Sequence, residues 1–483
     1  PTRRGPPPPL RVEDAARAWR RMITHREPGF PQSLVCFGGV IAIVIFGLLR
    51  FGIDLHSLLI IAVIWTAGHA FSLGLRFASI KTAMSGGIEK GLGAIYIFIL
   101  IGVLIAGLIA AGTVPSLIYY GVDLLGPRIF LPAGLILCSV MSLATGTAWG
   151  TIGTIGVVLM GLGEALEIPL PLVAGMVVSG ASFGDQMSPV SDTTNLAAMS
   201  AETDLYAHIK SMLYTTVPSY ALALVAFTVV GLRYADQSLD VQNLVVLQEA
   251  LAGEFVIGVS ALLPLVVLLV LSVRRVAAEP SMLASVGLAV ILAVVVQGRG
   301  VVEIVNSLNT GYVSNTGLEQ VDTLLTRGGV QSMMWTLSLA LIALALGGLL
   351  DRAGFVRVLL HGLLVRIKRS ATLMATTIAS GILANMSMGE AYLSIIFGGQ
   401  IFKESYEADG LERHLLSRCL EEGATLSTSL IPWTTSGAFC MGALGMSALD
   451  YAPWSFFNYI TPLVSIILAY MGFGIFRNVV NEH

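Results

Sequence analysis

Charged residues are scarce in this chain. Asp, Glu, Lys and Arg make up 12% of its 483 residues, whereas a typical soluble domain has about 25%. Hydrophobic residues make up 55%, and the mean hydropathy is +0.82. This composition excludes an ordinary soluble protein and predicts an all-α polytopic membrane protein that lies in the lipid bilayer. The net charge of −3 gives no indication of a nucleic-acid partner.

The chain also lacks the motifs of several functional classes. No Gly-x-x-x-x-Gly-Lys-Ser/Thr phosphate loop occurs, which argues against an ATP-driven pump. No nucleophile–base pair and no His-Glu-x-x-His zinc motif occurs, so neither an enzyme nor a bound cofactor is indicated. The cysteines lie singly in or beside apolar segments, and we expect them to be small core residues. They are Cys36, Cys138, Cys419 and Cys440.

Hydrophobic runs of membrane-spanning length predict about ten transmembrane helices. The uninterrupted runs lie at 34–50, 57–75, 92–114, 212–232, 255–273, 282–297, 334–350 and 456–476. Polar residues interrupt two further spans, at about 170–200 and 415–446, which are predicted to be broken helices. Re-entrant hairpins are predicted at about 129–163 and 370–402, because short apolar arms there flank a small, polar divider. The remaining segments are a basic N-terminal segment at 1–33, a polar linker at 233–254 and a tail at 477–483.

The chain is organised around residues 181–195, ASFGDQMSPVSDTTN, which lie between long apolar runs. This stretch holds two carboxylates, an Asn and five hydroxyl side chains, and such polar groups are costly within a membrane and usually functional. Ser188 followed by Pro189 is typical of a helix N-cap with Pro at the first helical position. We therefore predict that a spanning helix breaks here and that a new helix begins at Ser188-Pro189, facing a cavity instead of lipid.

The two halves of the chain match at an offset of 243 residues. In the hairpins, Gly146, Ala148, Trp149 and Thr151 correspond to Gly389, Ala391, Tyr392 and Ser394. In the broken helices, Ala181, Ser182, Pro189 and Ser191 correspond to Ala424, Thr425, Pro432 and Thr434. The spacing is identical and needs no gap, so we predict an internal duplication with halves at 34–232 and 255–476.

The distribution of basic residues predicts the orientation. With the N-terminus in the cytoplasm, all but five of the 27 Lys and Arg residues lie on the cytoplasmic side, which is a strong positive-inside bias. The exceptions are Arg50, Arg128, Arg233, Arg299 and Arg327. Both termini are then cytoplasmic, the linker 233–254 is extracellular and the two repeats are inverted. Inverted repeats with broken helices that meet at the midplane are typical of secondary transporters.

Two motifs resemble those of the NhaC family of sodium/proton antiporters, a branch of the ion-transporter superfamily. They are GDQMSPVSDTTN at 184–195 and EEGATLSTSLIPWTTSGAF at 421–439, and the resemblance runs over about 88–476. The resemblance implies exchange of Na⁺ for H⁺ across a prokaryotic cell membrane. The superfamily also suggests a homodimer with a moving transport domain.

The polar residues predict a site for cations and protons. Carboxylate, hydroxyl and carbonyl oxygens are hard donors that suit a small hard cation. Two carboxylates in a partly dry cavity disfavour joint ionisation, so an entering cation would displace a proton. The predicted cation- and proton-binding residues are Asp185, Asp192, Asn195, Ser188, Thr193, Thr145, Thr147, Thr151 and Glu390, with Na⁺ placed at Asp185, Asp192, Asn195 and Thr147.

Several of these residues have an alternative, structural role. Asp192 either binds the ion or stabilises the dipole of the helix that it begins. Thr193 and Thr194 either contribute ligands or bond back to the helix, and Asn195 is either a ligand or an interhelical hydrogen-bond partner. The three threonines of the first hairpin tip either meet the ion or satisfy the open backbone of the tip.

The second broken helix has hydroxyls but no carboxylate beyond Glu421 and Glu422, which are assigned to its cytoplasmic start. With Glu390, its hydroxyls either complete the cation site or hold an organic substrate. The residues of this possible second site are Asn385, Ser387, Thr425, Ser427, Thr428, Thr434 and Thr435. The alternative function on the same fold is thus Na⁺/H⁺-coupled exchange of small carboxylates such as malate and lactate. An ion channel fits less well, because hairpins and broken helices suit an occluded site.

Overall fold

A computed structural model describes residues 26–234, 241–364, 367 and 369–477, and these residues are mostly helical. We number the longer helices in chain order. Those of the first half are α1 (Phe30–Phe51), α2 (Leu55–Ser72), α3 (Phe77–Lys90), α4 (Leu92–Ala110), α5 (Thr113–Leu124), α6 (Pro127–Thr145), α7 (Ala148–Ala165), α8 (Leu170–Met187), α9 (Asp192–Ser200) and α10 (Leu205–Leu232).

The second half follows α11 (Val241–Glu254). Its helices are α12 (Leu263–Val273), α13 (Ala278–Val295), α14 (Val301–Thr310), α15 (Glu319–Leu325), α16 (Met334–Arg352), α17 (Phe355–Leu364), α18 (Ser370–Met388), α19 (Ala391–Ala408), α20 (Arg413–Leu420), α21 (Thr435–Leu444) and α22 (Phe456–Tyr470). α20 continues through a π-helical turn at Glu421–Thr425 and a short helix at Leu426–Thr428.

The helices are those of a polytopic membrane protein. In the described part of the chain, 8 helices are long and apolar enough to cross a membrane, or up to 11 if each of 3 bent pairs forms one span. Large apolar side chains such as Phe46, Leu49 and Val229 face outward, at 64%, 72% and 53% exposure. An apolar exterior of this kind suits a lipid environment. The prediction of an all-α membrane protein is confirmed. The predicted number of about ten spans lies within the observed range of 8 to 11.

Some loops of the sequence prediction are helical. α11 lies within the predicted polar linker 233–254, of which 235–240 are outside the described residues. α14 and α15 lie in the polar stretch before α16, and α3, α5 and α17 follow or precede spanning helices. These helices have 7 to 14 residues, too few to be recognised as spans from hydrophobicity alone.

The hairpin arms are longer than predicted. α6 has 19 residues and α7 has 18, whereas short arms were predicted within 129–163. Each arm therefore has the length and composition of a membrane span. The two arms are joined by Gly146, which has φ of 70°, a left-handed conformation that favours glycine. Re-entry of these arms into the membrane stays a prediction.

The offset of 243 residues also relates the lengths of the helices. α6 and α18 begin 243 residues apart and both have 19 residues, while α7 and α19 begin 243 residues apart and both have 18. Like α6, α18 ends at a left-handed glycine, Gly389, with φ of 71°. The two hairpin tips therefore have the same backbone geometry.

A packing contact recurs at the same offset. The Ser142 hydroxyl of α6 donates a hydrogen bond to the carbonyl of Ala181, at 2.6 Å. In the second half, the Asn385 amide donates to the carbonyl of Ala424, at 2.5 Å. In each half, therefore, the first hairpin arm is held against the following broken helix by a side chain at an equivalent position.

Candidate functional site

The first broken helix is interrupted between Met187 and Asp192. α8 ends at Met187 and α9 begins at Asp192, with Ser191 as its N-cap. The predicted helix start at Ser188-Pro189 was therefore wrong by a few residues. The reason is that the Ser188 hydroxyl donates to the carbonyl of Leu143 on α6, at 2.9 Å, and so ties the break to the first hairpin.

Side chains satisfy the backbone that the break leaves open. The Thr194 hydroxyl donates to the carbonyls of Asp185 and Gln186, at 3.1 and 3.2 Å. The Asn195 amide donates to the carbonyls of Pro189 and Ser191, at 3.1 and 2.7 Å. Unpaired carbonyls are costly in a membrane interior, so these bonds allow the helix to break there. Thr194 and the amide of Asn195 thus have a structural role.

The hairpin tips present polar side chains at helix N-termini. The Thr147 hydroxyl caps α7 by accepting from the amide of Gly150, at 3.3 Å. At the equivalent position, Glu390 is the N-cap of α19. One oxygen of the Glu390 carboxylate accepts a hydrogen bond from the Thr435 hydroxyl, at 2.6 Å. The second tip is therefore tied to the start of α21.

These elements surround one polar cavity of about 520 Å³. Its walls come from the first hairpin tip, the break between α8 and α9, the second hairpin tip, the end of the second broken helix and the turn between α12 and α13. All four predicted Na⁺ ligands line it. The predicted residues that line the cavity are Thr145, Thr147, Asp185, Asp192, Thr193, Asn195, Glu390, Thr425 and Thr428.

The other predicted site residues are not among those that line the cavity. They are Ser188, Thr151, Asn385, Ser387, Ser427, Thr434 and Thr435. Most of them hold the backbone of the tips and breaks: Thr151 donates to the carbonyl of Thr147, and Ser387 donates to that of Ala384. Their polar groups thus bond to the backbone, and of the three tip threonines only Thr151 is in this set.

The two carboxylates of the first break differ in their surroundings. Asp185 is half-buried, and one of its oxygens accepts from the Ser191 hydroxyl, at 2.7 Å. Because Ser191 is at the N-cap position of α9, this bond joins the two sides of the break. Asp192 is exposed toward the cavity and lies in the first turn of α9. That position satisfies both interpretations of Asp192, as an ion ligand and as a partner of the helix dipole.

Sequence reasoning missed two groups of charged residues near the site. Glu421 and Glu422 were assigned to the cytoplasmic start of a helix, but both are fully buried within the π-helical turn. Arg275, in the turn between α12 and α13, and Glu279, in the first turn of α13, line the cavity. Two adjacent acids followed by an apolar, hydroxyl-rich stretch were a usable signal for the first pair. The second pair is distant in sequence from every motif.

A polar cavity where helix breaks and hairpin tips meet, inside a polytopic helical protein, is the arrangement of a secondary transporter. Comparison with known proteins agrees. The model of the Na⁺/H⁺ antiporter family matches residues 28–194 and 180–473, and the chain belongs to this family.

Similar proteins include antiporters with different named cargoes. The chain is 36% identical to the Na⁺/H⁺ antiporter NhaC of Alkalihalophilus pseudofirmus, over 92% of this chain and 96% of that protein. It is 37% identical to the malate-2H⁺/Na⁺-lactate antiporter of Bacillus subtilis, over 83% and 86%. It is 32% identical to the arginine/ornithine antiporter ArcD of Halobacterium salinarum, over 96% of both chains. The resemblance to NhaC is thereby confirmed, and the chain is a secondary antiporter and not an enzyme.

Proposed function

We propose that this antiporter exchanges Na⁺ for H⁺ at the polar cavity, with Asp185 as the central carboxylate. The observation that supports this is the convergence of Asp185, Asp192, Asn195 and Thr147 on one cavity. Their oxygens are hard donors, which suit Na⁺. A cation or a proton neutralises Asp185, and each can displace the other. Competition for one site is sufficient for antiport and needs no separate proton path.

We also propose that the halves 34–232 and 255–476 are inverted repeats that move relative to each other. The matching helix lengths and the recurring hydrogen bond support the repeats. The arginines that lie near the bases of the two hairpins support the inversion. Near the base of the first hairpin, Glu164 lies within electrostatic range of Arg327. At the base of the second, Arg477 donates to Ser370, at 2.9 Å. Positive-inside counting assigns Arg327 and Arg477 to opposite membrane faces.

The deciding experiment uses purified protein in proteoliposomes that contain a pH-sensitive dye and no organic solute. An imposed Na⁺ gradient should move protons at once, because one carboxylate-lined site carries either Na⁺ or H⁺ on each crossing. Liposomes without protein and proteoliposomes given a choline gradient are the controls. A pH change that appears only after an organic acid is added would overturn plain Na⁺/H⁺ exchange.

A second candidate function is exchange of small carboxylates coupled to Na⁺ and H⁺. Among the described residues that line the cavity, Arg275 has the only Lys or Arg side chain. Its φ of 62° is the left-handed conformation in which α12 ends, and the turn that follows brings Arg275 to the cavity. The cavity volume of about 520 Å³ is in the range of small-molecule sites. The similarity to the malate/lactate exchanger supports this candidate too.

Arg275 separates the two candidates. Arg275→Gln should leave Na⁺-driven proton flux unchanged in proteoliposomes without organic acid if the protein is a plain antiporter. It should abolish malate or lactate uptake if Arg275 pairs with a substrate carboxylate.

We propose that the protein lies in the prokaryotic cell membrane with both termini in the cytoplasm. We also propose that it assembles as a homodimer. Positive-inside counting supports the cytoplasmic position of the termini, and the superfamily resemblance supports the homodimer.

A further inference from the structure

Glu421 is a fully buried carboxylate with neither oxygen paired. It is the first residue of the π-helical turn Glu421–Thr425. Neither of its carboxylate oxygens has a hydrogen-bond partner among the residues that the structure describes. Burying such a group without a partner is unfavourable whether the carboxyl is ionised or protonated. A buried polar group without a hydrogen-bond partner in a native structure indicates a bound ligand, ion or water.

The neighbours of Glu421 are oxygen atoms of the candidate site. Asp185, on the first broken helix, lies close enough to Glu421 for the two carboxylates to interact electrostatically. The hydroxyls of Thr193 and Thr425 lie beside this carboxylate, but neither donates a hydrogen bond of normal geometry to it. The Thr425 hydroxyl is itself buried, and the described part of the chain offers it no hydrogen-bond partner. Two carboxylates and two hydroxyls therefore lie close together, and no hydrogen bond among the described residues reaches the Glu421 carboxylate.

This group of oxygens lies at the cavity wall. Asp185, Thr193 and Thr425 line the cavity, whereas Glu421, one helical turn before Thr425, does not. The residues in contact with the cavity thus separate Glu421 from it. A ligand that reaches Glu421 from the cavity passes between side chains of the two broken helices. π-helical turns are rare and often mark functional sites, which agrees with a ligand at this turn.

The adjacent residue, Glu422, has different surroundings. One of its oxygens accepts from the Thr215 hydroxyl of α10, at 2.5 Å. The buried Arg418 and Ser465 also lie near this carboxylate. Glu422 therefore faces α10 and α22 and has a partner for one oxygen and a nearby cation. It provides a matched control for Glu421, since both are buried glutamates in the same turn.

We propose that Glu421, Asp185, Thr193 and Thr425 form an occluded binding site for one small hard cation. Two carboxylates and two hydroxyls are a ligand set of hard oxygens that suits Na⁺. A bound cation supplies the positive charge and the partner that the orphaned oxygens lack. Each half of the chain contributes one carboxylate, so both broken helices hold the ion. This inference rests on the proposed function for the identity of the cation as Na⁺.

The test is equilibrium binding of radioactive ²²Na⁺ to purified protein in detergent, which requires no transport. Ligand charge sets the affinity of oxygen-based cation sites, so Glu421→Gln should weaken Na⁺ binding about tenfold or more. Glu422→Gln should change it by less than about twofold, because that carboxylate has other partners. Wild-type affinity in a folded Glu421→Gln protein overturns the inference, and bound water is then the partner of Glu421.

Two further variants apply if Glu421→Gln does not fold. Glu421→Asp keeps the charge but shortens the side chain, and Thr425→Val removes a single hydroxyl, so each should weaken Na⁺ binding about threefold or more. Unchanged affinity in both variants overturns the inference. The proteoliposome assay separates this result from the proposed function. Glu421-dependent Na⁺ binding without Na⁺-driven proton flux keeps the site and overturns plain Na⁺/H⁺ exchange. Na⁺-driven proton flux in the wild type, together with unaltered Na⁺ binding in Glu421→Gln, keeps plain Na⁺/H⁺ exchange and overturns the site.

Discussion

At the scale of single residues, the two aspartates of the first break make different predictions. Asp185→Asn should reduce Na⁺-driven proton flux to background while the protein remains folded, because an amide neither releases a proton nor balances a cation. Its bond from the Ser191 hydroxyl can be retained by the amide oxygen. The measurement is flux in proteoliposomes, with thermal stability in detergent as the folding control. Normal flux in a well-folded Asp185→Asn protein would exclude Asp185 as the carrier.

Asp192→Asn should have a milder effect. The side chain is exposed toward the cavity, where a nearby charge contributes about 1 kcal/mol, so apparent Na⁺ affinity should fall about fivefold. Flux at saturating Na⁺ should stay close to that of the wild type. If the substitution instead lowers only thermal stability and leaves the Na⁺ dependence unchanged, Asp192 serves the dipole of α9.

Residue types and spacing predicted part of the site. A carboxylate in an apolar stretch is costly wherever it lies, so Asp185 and Glu390 were recognisable from the sequence alone. Glu421 was misassigned because the sequence does not show which helix face meets the other broken helix. Arg275 was missed because it belongs to a short turn between two ordinary spans, and only the tertiary fold brings that turn to the cavity.

At the scale of helices and turns, the first hairpin tip is more constrained than the second. Gly146 and Gly389 are both left-handed, so alanine at either costs about 1–2 kcal/mol. A Cβ at Gly146 would also lie 2.7 Å from the Val190 side chain and 3.1 Å from the backbone nitrogen of Ser191. At Gly389 the nearest atom is 3.6 Å away, which is an ordinary contact.

Gly146→Ala should therefore lower thermal stability and transport more than Gly389→Ala. The reason is that the first tip packs against the break between α8 and α9, and an added methyl group displaces the backbone at Val190 and Ser191. The two alanine variants are matched in conformation and differ in the space around the Cβ. Melting temperatures in detergent and flux in proteoliposomes measure the difference. An equal or larger loss in Gly389→Ala would contradict this account of the first tip.

The positions of spans were more predictable than their interruptions. Long apolar runs such as those of α1 and α10 determine helices by composition, because a membrane helix must satisfy its own backbone. The break after Met187 depends on where Ser188 finds an acceptor, and that acceptor, Leu143, belongs to another helix. π-helical turns at Ile152–Gly156 and Glu421–Thr425 likewise have no composition that distinguishes them from α-helix.

At the scale of the whole molecule, the two halves provide different chemistry on similar backbones. The first half contributes Asp185 and Asp192, and the second contributes Glu390 and, in our inference, Glu421. The hairpins match in arm length and in tip geometry, yet Thr147 of the first tip is replaced by Glu390 in the second. In our proposal, a duplicated scaffold with unequal side chains forms a single asymmetric cavity between the two halves.

The proposed inverted arrangement predicts which surfaces face the outside. All four cysteines are buried and free, so they can be replaced by small residues to give a background without reactive thiols. In this background, Asn306→Cys on α14 and Glu404→Cys on α19 introduce single thiols at exposed positions. An impermeant maleimide should label Asn306→Cys in intact cells and Glu404→Cys only after permeabilisation, since positive-inside counting places them on opposite faces. Labelling of both thiols from outside would contradict the inverted repeats. The opposite pattern would keep α14 and the end of α19 on different faces but would reverse the orientation and move both termini out of the cytoplasm.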